Sequence, residues 1–176
     1  MEKVTTEDLL RYYAEGRRNF ENVDISDAYL FEANLTKINL SGSNLTRTHL
    51  PYANLSQGTL KMADLSAAEL GDVQLYQVNL EGACLRTANL RRANLRFANL
   101  QGADLSEANL QNADLYGANL KNAIFKRADL SRSNLQNADL TGANLSGANL
   151  FRAQQANLTA TQTDSSTIYP DGHTGS

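Results

Sequence analysis

The sequence has few of the residues and segments on which several classes of protein depend. Its 176 residues include a single cysteine, Cys84, which excludes an internal disulfide framework. No apolar run approaches the length of about 20 residues that spans a bilayer, and the N-terminus lacks the basic start and apolar stretch of a signal peptide. These absences exclude a membrane-embedded protein and predict a cytoplasmic one.

The sequence also lacks an extreme net charge and the motifs of common catalytic and metal-binding sites. The formal net charge of −3, with a pI near 5.4, indicates no particular partner. His49 and His173 lie far apart in the sequence, so neither a metal-ligand cluster nor a Ser-His-Asp arrangement is supported. Glycine recurs singly where the repeat bends, as at Gly102 and Gly117, and forms no phosphate-binding loop. We therefore expect no cofactor, no bound metal and no enzymatic activity.

What the sequence has instead is a strict period of five. An apolar residue occupies every fifth position from Phe20 to Leu150, and after Phe20 it is Leu throughout except at Ile25 and Phe125. On an α-helix each step would rotate the side chain by about 140°, so the apolar residues would surround the cylinder instead of forming one stripe. On a continuous strand an odd period would send successive side chains to opposite faces. The period therefore indicates neither regular element.

The residue two positions before each Leu explains the period. It is small and mostly Ala, as in Ala88-Asn89-Leu90-Arg91-Arg92. Two steps along a strand return a side chain to the same side, so Ala and Leu point inward together and the other residues turn the chain before the next unit. The chain thus bends every five residues into a solenoid with Ala and Leu along its axis. The Asn or Asp before most Leu residues favours stacked amide ladders and bonds to nearby backbone over calcium binding.

This unit, seen again in Ala103-Asp104-Leu105-Ser106-Glu107, resembles the repeat of the pentapeptide repeat family. The resemblance covers residues 18 to about 152. Counting bends alone leaves a three-sided prism open. The resemblance implies an all-β fold, a right-handed quadrilateral β-helix with four pentapeptides per coil, which gives a rod about 30 Å long at the usual strand spacing.

Residues 1–17 follow a different pattern, which predicts a short N-terminal helix at roughly residues 6 to 15. Thr5 and Thr6 are good N-caps, and Gly16 is a natural stop. The apolar stripe of this helix consists of Leu9, Leu10 and Tyr13. An amphipathic helix at the end of a solenoid is expected to cover the first coil as a lid, and a partner-binding helix is the alternative.

Residues 18–152 form the predicted β-helix, and residues 153–176 form an irregular last coil with a C-terminal tail. Gln155 occupies a Leu position, and the next Ala-Asn-Leu, at residues 156–158, is out of phase. The sequence of residues 169–172, Tyr-Pro-Asp-Gly, is typical of a type I or II turn. The tail either folds back over the last coil through Ile168 and its neighbour or is largely disordered.

Bulky side chains replace Asn, Ser or Gly at several outward positions. In a four-sided coil, residues twenty apart are neighbours, which places one group of candidate partner-binding residues on one side, namely Tyr29, Phe31, His49 and Tyr52, with Pro51. A second candidate group contains Tyr76, Phe97 and Tyr116, with Arg96 expected between the two tyrosine rings. Scattered surface aromatics are normal, so an ordinary surface is the alternative to a binding patch.

A band of arginines around one coil completes the candidate partner-binding residues: Arg86, Arg91, Arg92 and Arg96. Residues 1–85 carry seven basic and twelve acidic side chains, whereas residues 86–152 carry nine and five. Mutual repulsion makes such a band a poor choice for stability alone, so an acidic protein surface or nucleic-acid phosphate is its expected partner. The band is short and acidic residues follow on the next coil, which favours a protein over nucleic acid.

Three functions remain open. The first is a non-enzymatic protein-protein interaction module, a monomer or weak dimer, and the likeness of residues 9–20 to the start of cyanobacterial pentapeptide proteins narrows it to a regulator of cell differentiation. The family resemblance also allows a DNA mimic that binds and protects a type II topoisomerase, but the arginine band, slight net charge and few core phenylalanines disfavour it. An enzyme or small-molecule binder is the third, and a filled axis leaves it no pocket.

Overall fold

The structure, a computed structural model, describes residues 1–175; Ser176, the last residue of the predicted tail, lies outside them. Parallel bridges join residues twenty apart, beginning with Asn19 and Asn39 and continuing to Asn134 and Gln154. A coil of twenty residues built from units of five has four sides, which excludes the three-sided prism. The right-handed winding stays a prediction.

The described residues contain few regular elements. These are strand β1 (Glu2–Lys3), helix α1 (Thr6–Ala14) and strand β2 (Val23–Asp24). On each later side of the coil the chain contributes an isolated bridge, because it turns again after five residues. Among residues 1–175, no helix is long and apolar enough to cross a membrane.

The corners from Ile25 to Ala153 are type II turns. The Ala28 N–H donates to the Ile25 carbonyl over 3.2 Å, and the same bond recurs at the following corners. The third residue of the turn has a positive φ, as at Tyr52 (59°) and Phe97 (56°), whereas the second residue does not. Glycine suits this position, and at Gly117 an added Cβ would lie only 2.8 Å from the Phe97 ring.

Leu and Ala fill the axis, as the alternation within each unit predicts. Leu100 and Ala103 are fully buried, and so are Phe20 and Phe125, which take Leu positions. Burying one Leu side chain contributes about 1.5–3 kcal/mol. Burial of these regularly spaced side chains is therefore the main source of the stability of the rod.

The polar residue before each Leu bonds to its surroundings as predicted. Oδ1 of Asp24 accepts the N–H of Ser26 at 2.9 Å, which supports the turn. Nδ2 of Asn119 donates to Oδ1 of Asn99, one coil away, at 2.9 Å. These contacts, repeated along the rod, confirm the amide ladders and link each coil to the next.

The N-terminal segment packs on the first coil. Helix α1 begins after Thr5, whose Oγ1 accepts the Asp8 N–H at 3.1 Å. Leu9 is fully buried, and the Tyr13 hydroxyl donates to the Thr36 carbonyl over 2.8 Å. Strand β1 pairs in parallel with β2 of the first coil. The segment thus lies where a lid over that coil would lie.

The C-terminal segment continues the solenoid in a changed register. Asn144 bridges to Gln162 and Asn149 to Ile168, separations of 18 and 19 residues. Oγ1 of the buried Thr167 donates to the Leu145 carbonyl over 3.0 Å. Of the two alternatives left open by the sequence, the tail folds back through Ile168. The predicted turn closes with the Gly172 N–H donating to the carbonyl of residue 169 over 2.9 Å.

Candidate partner-binding face

Residues twenty apart form columns along the outside of the rod, because each coil stacks on the one before it. One of the four sides carries both a cluster of exposed rings and several arginines. We name this side the aromatic-arginine face. It consists of residues 29–32, 49–52, 69–72, 89–92, 109–112, 129–132 and 149–152.

Four rings meet at the N-terminal end of this face. Tyr29 and His49 stack with their centroids 4.6 Å apart and their planes 10° from parallel. Phe31 lies 6.3 Å from Tyr29 and meets Tyr52 edge-on at 5.8 Å. The structure thus brings together the four aromatic candidates of this side, which we call the aromatic cluster.

The aromatic cluster is open to solvent. Tyr29 is 63% exposed, Phe31 42% and Tyr52 53%. Tyr52 also sits at the positive-φ position of its turn, where a large side chain is less favourable than glycine. Neither core packing nor turn geometry accounts for these rings, which form an exposed apolar patch on the surface.

The second aromatic group lies on a neighbouring side, with an arrangement that differs from the expected one. The Phe97 ring stands edge-on between Tyr76 and Tyr116, at centroid distances of 6.0 and 5.4 Å. Arg96 stacks on Tyr116 at 4.9 Å, and within residues 1–175 it does not also stack on Tyr76. The expected sandwich of Arg96 is wrong because the turn directs the Phe97 ring, not the guanidinium, into the space between the tyrosines.

Three arginines of the band are compensated by carboxylates on neighbouring coils. Arg92 pairs with Asp72 at 2.6 Å, Arg86 with Asp104 at 3.2 Å and Arg96 with Asp114 at 3.3 Å. Hydrogen bonding from Arg92 lowers the pKa of Asp72. The sequence predicts that mutual repulsion makes the band a poor choice for stability. This prediction is wrong for these three arginines, because each one pairs with a carboxylate and links two coils.

Three arginines outside ion pairs with the described residues lie on the aromatic-arginine face. Arg91, Arg132 and Arg152 take part in no ion pair with any described residue. Arg152 stacks on the ring of Phe151 at 5.0 Å, and that ring is 38% exposed. Sequence reasoning did not select Arg152 or Phe151. Reading the chain in steps of twenty from Arg92 would have placed Arg132 and Arg152 in one column.

His49 and Cys84, whose side-chain types are common in metal and catalytic sites, make other contacts in this structure. Within residues 1–175, no group of three or more His, Cys, Asp or Glu side chains is placed to hold a metal ion. His49 is stacked on Tyr29, and the Cys84 Sγ lies 3.1 Å from the Ser66 hydroxyl.

The fold and its repeat define a class, the solenoids built from five-residue units. The family profile of pentapeptide repeats matches in eight copies, over residues 24–61, 59–92, 88–127 and 123–161. The chain belongs to the pentapeptide repeat family.

Several solved structures are similar. HetL, a pentapeptide repeat protein involved in heterocyst differentiation regulation in the cyanobacterium Nostoc sp. strain PCC 7120, is 29% identical over 98% of this chain and 100% of its own, with a TM-score of 0.45. QnrB1, a plasmid-mediated fluoroquinolone resistance protein, is 22% identical over 83% of this chain and 79% of its own, with a TM-score of 0.51. Rfr23 from the cyanobacterium Cyanothece 51142 is 24% identical over 92% and 97%, with a TM-score of 0.44. No curated protein matches the chain significantly.

Proposed function

We propose that this protein is a non-enzymatic module that binds a protein partner through its aromatic-arginine face. The observation that carries the proposal is the aromatic cluster, whose rings at Tyr29, Phe31 and Tyr52 are 63%, 42% and 53% exposed. Exposed apolar patches rimmed by polar groups mark interaction sites, and Tyr and Arg contribute much of the binding energy at protein interfaces. Both kinds of side chain lie on this one face.

The backbone under the cluster is well suited to binding. Tyr29 and His49 are joined by a parallel bridge, so their stacked rings stand on hydrogen-bonded neighbours. Phe31 and Tyr52 flank buried Leu residues that fix the corners of their coils. Side chains held in this way lose little conformational entropy when a partner docks, which favours affinity.

A DNA mimic is the weaker proposal. Such a protein needs dense negative charge along the rod to match the phosphates of a duplex. The C-terminal half of the aromatic-arginine face instead carries Arg91, Arg132 and Arg152 outside ion pairs with the described residues. Its charge suits an acidic partner rather than the DNA-binding site of a type II topoisomerase.

Direct binding of nucleic acid is also weaker. Backbone phosphates call for an extended positive stripe. On this face Asp129 lies between Arg91 and Arg132, and Glu69 and Asp72 precede the arginines. The mixed charge suits the side chains of a protein better than a run of phosphates.

The test compares two bait proteins in capture from a lysate of the organism that encodes the chain. The first bait carries Tyr29→Ser, Phe31→Ser and Tyr52→Ser. The control carries Met62→Ser, which removes a side chain that is 65% exposed on another side. We expect a partner held by the wild type to be lost from the first bait and kept by the control. A partner kept by the first bait, or lost equally from both, would contradict the proposal.

The narrower expectations stay predictions: a regulator of cell differentiation, a cytoplasmic location, and a monomer or weak dimer. They are checked by the identity of the captured partner, by fractionation of cells and by sedimentation of the purified protein. The proposal of a binding face does not depend on them.

A further inference from the structure

The aromatic-arginine face contains a shallow groove in its C-terminal half. The groove has a volume of about 320 Å³ and lies between Arg91 and Arg132, which are two coils apart. Gln111, Asn112 and Ser131 contribute amide and hydroxyl groups to its lining, and Asp129 contributes one carboxylate. The two guanidinium groups only donate hydrogen bonds, and the amides and the hydroxyl can donate as well as accept, so the groove can hold an acceptor.

The carboxylate of Asp129 is already satisfied by its own neighbours. Its Oδ2 accepts from Nε2 of Gln111 at 2.5 Å, and its Oδ1 accepts from the Ser131 N–H at 2.9 Å. It forms no ion pair with Arg91 or Arg132. Arg91 and Arg132 line the groove outside any ion pair with the described residues, and Asp129 contributes the carboxylate of the lining.

We infer that this groove is a receptor for a carboxylate side chain, Asp or Glu, of the protein partner; the inference rests on the proposed function. A guanidinium binds a carboxylate through parallel N–H bonds, a geometry that lysine does not reproduce. The groove begins two coils beyond Tyr52, a distance of about 10 Å at the strand spacing. A partner that packs apolar groups on the aromatic cluster can place an acidic residue in the groove along the same face.

Phosphate can accept hydrogen bonds from the same donors as a carboxylate. The charges around the groove, however, favour the carboxylate. Asp129 lies inside the groove, and Glu69 and Asp72 lie on the approach from the aromatic cluster. These charges repel a nucleic-acid backbone more strongly than a single carboxylate, because each nucleotide adds another negative charge. The receptor is accordingly assigned to an acidic protein side chain.

The experiment is an NMR titration of the full chain with a short capped oligoglutamate peptide, with inorganic phosphate and with a single-stranded oligonucleotide. The signals followed are the Nε–H groups of Arg91 and Arg132 and the side-chain amides of Gln111 and Asn112. We expect the peptide to shift these signals, and we expect Arg91→Gln with Arg132→Gln to weaken its binding at least about tenfold. The control variant carries Lys37→Gln and Lys126→Gln, the same charge change at exposed positions on other sides, and should bind like the wild type.

A further variant strengthens the expected interaction. Asp129→Asn removes the negative charge from the groove and should tighten peptide binding; the fold tolerates Asn here, since Asn109 and Asn149 take the same position in adjacent coils. Failure of the peptide to shift the signals, equal weakening by the lysine control, or tighter binding of phosphate or oligonucleotide would overturn the carboxylate assignment. Those results would leave the capture test on Tyr29, Phe31 and Tyr52 untouched, so the two failures are distinguishable.

Discussion

Arg92 and Asp72 form a two-pronged ion pair between successive coils. The Arg92 Nε lies 2.7 Å from Oδ1 of Asp72, and its Nη2 lies 2.6 Å from Oδ2. Arg86 with Asp104 and Arg96 with Asp114 also connect coils, through single contacts of 3.2 and 3.3 Å. The outside of the rod is thus tied along its length by charge pairs, in addition to the backbone bridges.

These pairs predict loss of stability in acid. The hydrogen bonds from Arg92 hold the pKa of Asp72 below its ordinary value of 3.8. A carboxyl with a lowered folded-state pKa stabilises the fold above its unfolded pKa, and this contribution disappears as the pH falls through the folded value. We expect the thermal midpoint to fall below about pH 4. Asp72→Asn should be less stable than the wild type at neutral pH, with a gap that closes in acid.

Circular dichroism melts of both proteins across this pH range give the measurement. The double variant Asp72→Asn with Arg92→Gln should follow the same pH dependence as Asp72→Asn alone. A gap between Asp72→Asn and the wild type that stays constant from neutral pH into acid would show that the ion pair adds nothing to stability.

Replacement of Ser133 by Ala is predicted to stabilise the protein. Its hydroxyl is buried and has no hydrogen-bond partner among the described residues, while Ala113 and Ala153 take the equivalent position in the adjacent coils. Ser133→Ala removes an unsatisfied polar group and should raise the free energy of unfolding by about 1 kcal/mol, measured by chemical denaturation.

The matched control is Ser43→Ala, the same chemical change at the same position of an earlier repeat. The Ser43 hydroxyl donates to the Phe20 carbonyl at 2.9 Å and accepts the Val23 N–H at 3.1 Å. Its removal should destabilise the protein by about 1–3 kcal/mol. If both variants moved stability in the same direction, the hydrogen-bond assignment at these positions would be wrong.

Thr87 stores backbone strain at one corner. It is a β-branched residue with a φ of 56°, a region that such residues rarely adopt. Thr87→Gly should stabilise the protein by about 1 kcal/mol in chemical denaturation. The reverse change is available at Gly102, where φ is 66° and nothing lies within 4 Å of an added Cβ. Gly102→Thr should cost a similar amount, and a neutral result at both sites would refute the strain.

The packing of the N-terminal segment predicts that this segment acts as a lid over the first coil. Leu9 is fully buried whereas Leu10 is 39% exposed, so Leu9→Ala should cost about 2–5 kcal/mol and Leu10→Ala less than about 0.5 kcal/mol. Deletion of residues 1–16 should expose the strand edge and cause self-association, detected by sedimentation. A truncated protein that stays monomeric and equally stable would rule out the lid.

The core and the columns could be predicted from the sequence, because each depends on a period. Every fifth position identifies the residues that face the axis, and their burial follows without any knowledge of neighbouring coils. Steps of twenty then place Tyr29 beside His49 and Phe31 near Tyr52. The number of sides, on which this step depends, came from the family resemblance and not from the period itself.

The orientation of outward side chains could not be predicted in this way. A column gives the neighbours of Arg96 but not the rotamers, and the type II turn puts the Phe97 ring between the tyrosines. The pairing of Arg86 with Asp104 spans 18 residues, from the position after one Leu to the position before the next in the column. Such contacts form only when a side chain extends from one column to the next. The period of the sequence does not say which side chains do so. Only the structure distinguishes the arginines that form ion pairs with described residues from those that do not.

One measurement tests most directly whether a single side of the rod binds the partner. Arg47, Tyr52, Gln57 and Met62 occupy the same turn position on the four sides of one stretch, with φ values of 54°, 59°, 60° and 57°, and all four are exposed. A photo-crosslinking phenylalanine derivative placed at each position in turn samples the four sides with one chemistry. We predict that position 52 captures the partner and that positions 47, 57 and 62 do not. Equal capture from all four positions, or capture from another side alone, would contradict the account.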